Sequence, residues 1–198
     1  SKFMLKAIEK IRPLEIDTIC TGHGPILRSD WKKYVDLSEK YAKEYLASAE
    51  SEEKRVLISY VSAYGYTKEM ADEIEKGILS SSGVITEKVD IENMDIGEID
   101  SKITISDAIL IGSPTINQNI LLPTYKMFAV INPIRDKGKA AGSFGSYGWS
   151  GEAVKIIDSA LQSLKLKVKQ EGLALKFRPD SEDNEKLFEF GKAFGKNL

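Results

Sequence analysis

Three short apolar runs, each followed by a longer segment with helical spacing, restrict this chain to few folds. The runs cover residues 56–61, 108–112 and 139–144. A parallel strand that is buried on both faces reads as a nearly continuous apolar stretch, so each run predicts a central strand of a parallel sheet. Two further segments, residues 85–91 and 173–177, alternate between apolar and polar side chains. That pattern predicts half-buried strands.

Segments with apolar residues on one helical face follow these strands. They cover residues 67–81, about 123–131, 151–164 and 181–195. Repeated strand–helix units form a parallel sheet with helices on both faces. The continuous strands 1, 3 and 4 belong in the middle and the alternating strands 2 and 5 at the edges, which gives the order 2-1-3-4-5. The chain is therefore predicted to contain an α/β, flavodoxin-like domain with a five-stranded parallel sheet over residues 54–198.

The first 54 residues do not supply enough structure for a hydrophobic core. Their pattern predicts a short helix that Pro13 ends, a strand over 14–20, a helix over about 29–46 and a polar linker over 47–54. Two helices and one strand bury too little surface to be stable alone. This short α/β extension is thus expected to pack on the following domain or to be the end of a larger one. Cys20 is expected to be a small buried residue, and the acidic residues 50–53 a solvated linker.

Charge and composition exclude several classes of protein. The formal net charge is -2, with ten basic and ten acidic residues in the first 54 and 18 and 20 in the rest, so we expect no nucleic-acid partner. There is no apolar run of 18 residues and no targeting signal, so we expect no membrane partner and a cytoplasmic location. The single cysteine, Cys20, excludes an internal disulfide, and the single histidine, His23, limits metal sites.

The loop after the first strand, residues 62–67, is the first candidate site. In a sheet of this order, ligands bind beyond the carboxyl ends of strands 1 and 3. This loop has hydroxyl groups at both ends, a glycine in the turn and the N–H groups of a helix N-terminus, which favour a phosphate. It has neither the P-loop nor the dinucleotide glycine pattern, which disfavours a nucleoside triphosphatase and a dinucleotide fold. A helix N-cap without a ligand is the alternative.

Two more loops are expected at the same edge of the sheet. Residues 113–119 carry many hydrogen-bonding groups and no charge, which suits the edge of a neutral heteroaromatic ring; a solvated turn is the alternative. Residues 145–151 combine closely spaced glycines with Tyr147 and Trp149. We expect the backbone to approach a flat ligand there, with one of the two rings stacked on it. The alternative is that Trp149 caps the hydrophobic core.

The three loops together resemble those of the flavodoxin domain of flavodiiron proteins, also called A-type flavoproteins. The motifs are Ser-x-Tyr-Gly-x-Thr from Ser62, Gly-Ser-Pro-Thr-x-Asn from Gly112 and Gly-Ser-Tyr-Gly-Trp-Ser-Gly-Glu from Gly145. The resemblance implies that the domain binds flavin mononucleotide (FMN). The residues implied to bind it are Ser62, Ala63, Tyr64, Gly65, Tyr66, Thr67, Ser113, Pro114, Thr115, Ile116, Asn117, Ser146, Tyr147, Gly148, Trp149 and Gly151.

The resemblance extends to residues 19–25, Ile-Cys-Thr-Gly-His-Gly-Pro. This segment is similar to the end of the metallo-β-lactamase-like domain of the same family, in which the histidine is a ligand of a diiron centre. It implies that residues 1–50 are the C-terminal remnant of such a domain and a linker. His23 would then bind iron only together with ligands from an upstream domain, because one imidazole cannot hold two irons.

The function implied by the resemblance is electron transfer through FMN, without catalytic residues in this chain. Electrons would pass from a donor such as rubredoxin or a reductase to a diiron site that reduces oxygen or nitric oxide, and a homo-oligomer is compatible with this. The alternatives are a free-standing flavodoxin, a flavin-dependent quinone reductase and a receiver domain of the same topology. A receiver domain needs an acidic cluster after strand 1 and an aspartate at the end of strand 3, where this chain has Ser62-Ala63-Tyr64 and Gly112-Ser113-Pro114. These residues disfavour it.

Overall fold

The computed structural model describes residues 2–49 and 53–198, and the chain divides into two compact units, Ser1–Ser51 and Glu52–Leu198. We call the first the N-terminal unit and the second the sheet unit. Within the described ranges, none of the helices combines the length and the hydropathy needed to cross a membrane. Of the predicted acidic linker, residues 50–52 lie outside the described residues.

The N-terminal unit consists of α1 (Lys2–Ile11) and α2 (Trp31–Ala49) with an irregular connection between them. The helix before Pro13 is confirmed, but the strand predicted over 14–20 is wrong. Only Ile19 pairs, in an isolated antiparallel bridge to Leu27 with backbone hydrogen bonds of 2.9 Å in both directions. Because successive side chains of an extended segment point to opposite sides, the inward position of Ile19 turns the next residue outward. Cys20 is accordingly exposed, not buried as predicted.

The sheet unit contains six parallel strands in the predicted order. They are β1 (Lys54–Tyr60), β2 (Val84–Asp90), β3 (Ala108–Gly112), β4 (Ala140–Tyr147), β5 (Lys167–Val168) and β6 (Leu173–Lys176). The order is β2-β1-β3-β4-β5, and β6 also pairs with β4. The flavodoxin-like order 2-1-3-4-5 is confirmed. The fifth strand predicted over 173–177 corresponds to β6, and the short β5 before it was not predicted. β5 pairs with the start of β4 and β6 with its end.

Helices cover both faces of this sheet. They are α3 (Tyr66–Leu79), α4 (Ile96–Ile105), α5 (Leu122–Val130), α6 (Glu152–Ser163) and α7 (Ser181–Lys196). Side chains of neighbouring strand residues go to opposite faces: Leu57 packs in the cluster with α4, α5 and α6, and Ile58 in the cluster with α3 and α7. Burying a side chain of this size contributes about 1.5–3 kcal/mol. The sheet unit thus has a core on each face, which holds the carboxyl ends of β1, β3 and β4 in place.

The longer course of β4 changes the interpretation of its glycines. β4 continues to Tyr147, three residues beyond the predicted end, so Gly145 lies in the strand and not in a loop. A Cβ on Gly145 would lie 2.1 Å from the carbonyl oxygen of Ser113. Glycine is therefore required there because two backbone segments of the chain approach each other closely. The approach of a ligand is not the reason.

Candidate functional site

A cavity of about 300 Å³ opens at the carboxyl ends of the central strands, where the sequence placed the ligand. Four aromatic residues contribute to its walls, together with Ser146 of β4 and residues of the loops that follow β3 and β4. The lining residues are Tyr64, Tyr66, Pro114, Thr115, Ile116, Ser146, Tyr147, Gly148 and Phe177. All but Phe177 belong to the set predicted from the sequence. None of the lining residues is charged.

The first loop begins α3 with Gly65, which has a φ of 84°. This left-handed conformation is easily adopted only by glycine, and it turns the chain sharply into the helix. The N–H groups of a helix's first turn have no partner within the helix and carry a partial positive charge. The hydroxyl of Ser62 is partly exposed beside them and accepts a hydrogen bond from the Lys68 N–H at 3.3 Å. This arrangement can receive an anion.

Thr67 has a different environment from the one its position in the motif suggested. Its side chain is fully buried, and its Oγ1 lies 3.1 Å from the Oγ of Ser146 in β4. This hydrogen bond ties the first loop to the strand that forms the opposite part of the cavity. A hydroxyl has one donor and two acceptor positions, so Thr67 can keep this bond and still meet a second group.

The second loop is fastened at both of its ends. Ser113 is fully buried, and its Oγ accepts a hydrogen bond from the Leu121 N–H at 3.1 Å. Thr115 donates its N–H to the Ser146 carbonyl at 2.8 Å and accepts the Ala153 N–H at 3.1 Å through Oγ1. Ser113 thus closes the loop from within, whereas Thr115 joins it to β4 and to the first turn of α6.

The tip of the second loop is a tight turn. Ile116 and Asn119 pair through two backbone hydrogen bonds, and Asn117 and Gln118 between them have φ of 52° and 58°. Both are exposed. The solvated-turn alternative therefore describes the tip, while Pro114, Thr115 and Ile116 line the cavity.

The third loop separates the two aromatic residues that the sequence treated together. Tyr147 is half-buried and lines the cavity, and a Cβ on Gly151 would lie 3.2 Å from its ring. Trp149 is 95% exposed and does not line the cavity. The alternative in which Trp149 caps the core is wrong, because the loop turns its side chain outward. Other predicted residues outside the lining are Ser62, Ala63, Gly65, Thr67, Ser113, Asn117 and Gly151.

Phe177 is the lining residue that sequence reasoning missed. The alternating pattern of residues 173–177 placed it inside an edge strand, but β6 ends at Lys176 and Phe177 has a φ of 63°. Nothing in the sequence marks a left-handed conformation at phenylalanine, which rarely adopts it. The available signal was its position, one residue beyond a strand whose carboxyl end faces the ligand edge.

Charged groups at this edge of the sheet lie outside the cavity lining. Burial, reinforced by the Asp90 carboxylate, raises the pKa of Tyr60 at the end of β1, so this phenol stays uncharged at neutral pH. Glu152 begins α6, and its Oε2 is buried without a hydrogen-bond partner among the described residues. A flat, uncharged ring fits the walls of the cavity, and a phosphate fits the N-terminus of α3. This donor set fits FMN.

His23 lies in the N-terminal unit, in an exposed turn. Among residues 2–49 and 53–198, no group of three or more histidine, cysteine, aspartate or glutamate side chains is arranged to hold a metal ion. The turn itself is held by a hydrogen bond from the Thr21 hydroxyl to the Pro25 carbonyl at 3.2 Å.

Comparison with known proteins finds one matching domain family and several similar proteins. The flavodoxin family model matches residues 58–191. The chain is 38% identical to flavo-diiron protein FprA2 of Clostridium acetobutylicum over 99% of this chain and 49% of that protein. Among solved structures, the flavodiiron protein of Giardia intestinalis has a TM-score of 0.73 at 28% identity and covers 98% of this chain, which covers 47% of it. The rubredoxin oxygen:oxidoreductase of Desulfovibrio gigas also has a TM-score of 0.73, at 26% identity, with coverages of 98% and 48%. The chain therefore spans about half the length of these proteins.

Proposed function

This chain belongs to the flavodoxin family, whose domain binds FMN, and is homologous along nearly its whole length to the flavodiiron proteins; from this premise we propose that it relays electrons through FMN held in the cavity at the carboxyl edge of its sheet. The observation that carries the proposal is the neutral, aromatic cavity beside the N-terminus of α3. The cavity suits the flavin ring and the helix N-terminus suits the phosphate, which are the two chemically different ends of FMN.

The phosphate of FMN is assigned to the first turn of α3. Its N–H groups and the partial charge of the helix N-terminus favour an anion, and Ser62 supplies a partly exposed hydroxyl. Thr67 supports the site through its bond to Ser146 and can add a second hydroxyl contact. Gly65 lets the chain make the turn at which these groups meet.

The flavin ring is assigned to the space between the tyrosines and the second loop. Tyr64, Tyr66 and Tyr147 contribute aromatic rings to the lining. The N–H groups of Thr115 and Ile116 are already bonded to Ser146 and Asn119, so this loop would offer its carbonyl oxygens, each of which has two lone pairs, to the edge of the flavin. FMN supplies reversible transfer of one or two electrons when it is bound, whereas the protein sets its orientation, its hydrogen bonds and its access to water. No lining residue is charged, so electrostatic tuning would come from backbone dipoles.

The partners follow from the relatives. The name of the Desulfovibrio gigas protein pairs rubredoxin with oxygen, and we propose a small redox protein or a reductase as donor. In the whole protein the acceptor would be a diiron site that reduces oxygen or nitric oxide, to which His23 would contribute one ligand. We also propose that the whole protein is a homo-oligomer.

The first test is the identity of the flavin. Apoprotein titrated with FMN and FAD should quench the fluorescence of FMN at far lower concentration, because the helix N-terminus receives a terminal phosphate and the chain lacks a dinucleotide glycine pattern. Tighter binding of FAD, or no binding of FMN, would contradict the proposal. Steady turnover of NAD(P)H with a quinone, without an added donor, would favour the reductase alternative.

A further inference from the structure

We propose that Phe177 forms the outer wall of the FMN site, as an aromatic ring that covers the flavin and shields it from water. This inference rests on the proposed FMN site. Phe177 lines the cavity together with the three tyrosines. It is distant from Tyr64 and Tyr66 in sequence, because it directly follows β6. It lies outside the three loops that carry the sequence motifs.

The backbone at Phe177 is held in an unfavourable conformation from both sides. Its φ is 63°, a region in which a bulky side chain crowds its own backbone. On one side, its N–H donates to the Tyr147 carbonyl at 2.7 Å, which anchors it to the end of β4. On the other side, the Nε of Arg178 lies 2.9 Å from the Oε2 of Glu69 in α3. Such strained positions occur most often at ligand clamps and active sites.

This conformation decides where the ring goes. In β6, Leu173 and Leu175 belong to the core cluster with α3 and α7, and a regular strand would direct Phe177 to the same face. The left-handed residue interrupts that alternation and brings the ring against Gly148 instead. A Cβ on Gly148 would lie 3.3 Å from the ring's Cε1, so the missing side chain of Gly148 leaves the space that Phe177 uses.

Without a ligand, packing of the Phe177 ring does little to offset the backbone strain at this residue. It is 57% exposed, and the Lys176 ammonium also lies near it, with Nζ 5.5 Å from the ring centroid. A strained backbone that presents an apolar ring largely to water gains little from packing within the protein. Contact with a flat aromatic ligand in the adjoining cavity would supply that packing.

The test compares Phe177→Ala with Phe177→Gly in the whole chain. Each apoprotein is titrated with FMN, and the release rate of FMN is measured after dilution. Loss of the ring should raise the Kd for FMN about tenfold in both variants and speed release. Glycine adopts positive φ without strain, so the urea midpoint of the glycine variant should equal or exceed that of the unaltered protein. This separates loss of binding from loss of folding.

Phe3→Ala is the matched control, since it removes a phenylalanine ring that is exposed and does not line the cavity. Its Kd for FMN should change less than about twofold. Wild-type affinity and release rate in both Phe177 variants would overturn this inference and leave the proposed function intact. Failure of the unaltered chain to bind FMN would overturn both.

Discussion

The two units of this chain differ in how their functional residues are held. In the sheet unit, Thr67, Thr115 and Ser146 connect the first two loops to β4 through hydrogen bonds of 2.8–3.1 Å, above a core on each face of the sheet. In the N-terminal unit, the hydrophobic cluster contains only Ile8, Trp31 and Val35 as buried members among the described residues, and His23 is exposed. The difference indicates that the residues around the cavity of the sheet unit are held in place before a ligand binds. In the described part of the N-terminal unit, His23 has no such support.

The largest effect should come from the internal electrostatics of the sheet unit. Asp136 is fully buried and contacts Arg135 at 2.8 Å, Lys139 at 3.0 Å and the Asn132 N–H at 2.8 Å. Asp136→Asn should lower the free energy of unfolding by about 3 kcal/mol, because it removes the buried counter-charge of Lys139 and Arg135, which are themselves partly buried. Asp107→Asn is the control: Asp107 makes an exposed ion pair, which is worth less than about 1 kcal/mol. Urea unfolding measures both, and equal losses would contradict the prediction.

The same carboxyl gives a pH dependence with a definite sign. Burial alone would raise the pKa of Asp136, but hydrogen bonds from Arg135, the Asn132 N–H and Lys139 outweigh it and hold the pKa below its ordinary value. A depressed carboxyl pKa contributes stability that is complete at neutral pH and is lost as pH falls below about 4. The difference in unfolding free energy between the Asp136→Asn variant and the unaltered protein should therefore shrink between pH 7 and pH 3. A constant difference would mean that the carboxylate charge is not its cause.

The phosphate loop should give the next largest effect. Replacing Ser62 and Thr67 by alanine should weaken FMN binding by about 1–3 kcal/mol for each charge-assisted hydrogen bond lost. Riboflavin has the same ring without the phosphate, so its affinity should stay unchanged. Ser80→Ala, at the other end of α3, is the control variant. Equal weakening of FMN and riboflavin would show that the Thr67–Ser146 bond shapes the cavity and that the phosphate lies elsewhere.

A smaller effect should separate the two aromatic residues of the third loop. Tyr147 lines the cavity and Trp149 is outside it, so flavin fluorescence should recover with Tyr147→Ala but stay quenched with Trp149→Ala. The affinity lost with the tyrosine ring should be about 0.5–1.5 kcal/mol. If fluorescence stays quenched even when both are replaced, the stacking residue is one of the remaining aromatic lining residues.

The same contrast shows what sequence reasoning could reach. Residues 56–61 and 108–112 read correctly as central strands because burial on both faces requires apolar residues at every position. The helix α4 escaped detection, although Ile96, Ile99 and Ile103 have helical spacing. β5 has only two residues, which is too short to show the alternation of apolar and polar side chains that identifies a strand in sequence. The course of β4 past Gly145 depends on its close approach to Ser113, a contact between segments distant in sequence.

The site was predictable to the extent that local chemistry defines it. Gly65 and the helix N-terminus follow from neighbouring residues, and the cavity lies where the strand order placed it. Phe177 was missed because a backbone conformation set by tertiary contacts decides whether its ring faces the cavity. An aromatic residue near a ligand edge is visible in sequence, but its direction is not.

The smallest effect should come from His23 in the chain as it stands. Anaerobic reconstitution with ferrous iron should leave close to zero iron per chain, and His23→Ala should not change that value, because the described residues hold no metal-binding group around this exposed turn. Joining an upstream metallo-β-lactamase-like domain should make the same substitution lower the iron content, with Cys20→Ser as a neighbouring exposed control. Ligating imidazoles need a partner that orients the ring, and that partner would come from the added domain. Two irons in the 198-residue chain, or an extended protein whose iron content ignores His23→Ala, would show that the N-terminal unit holds metal in another way.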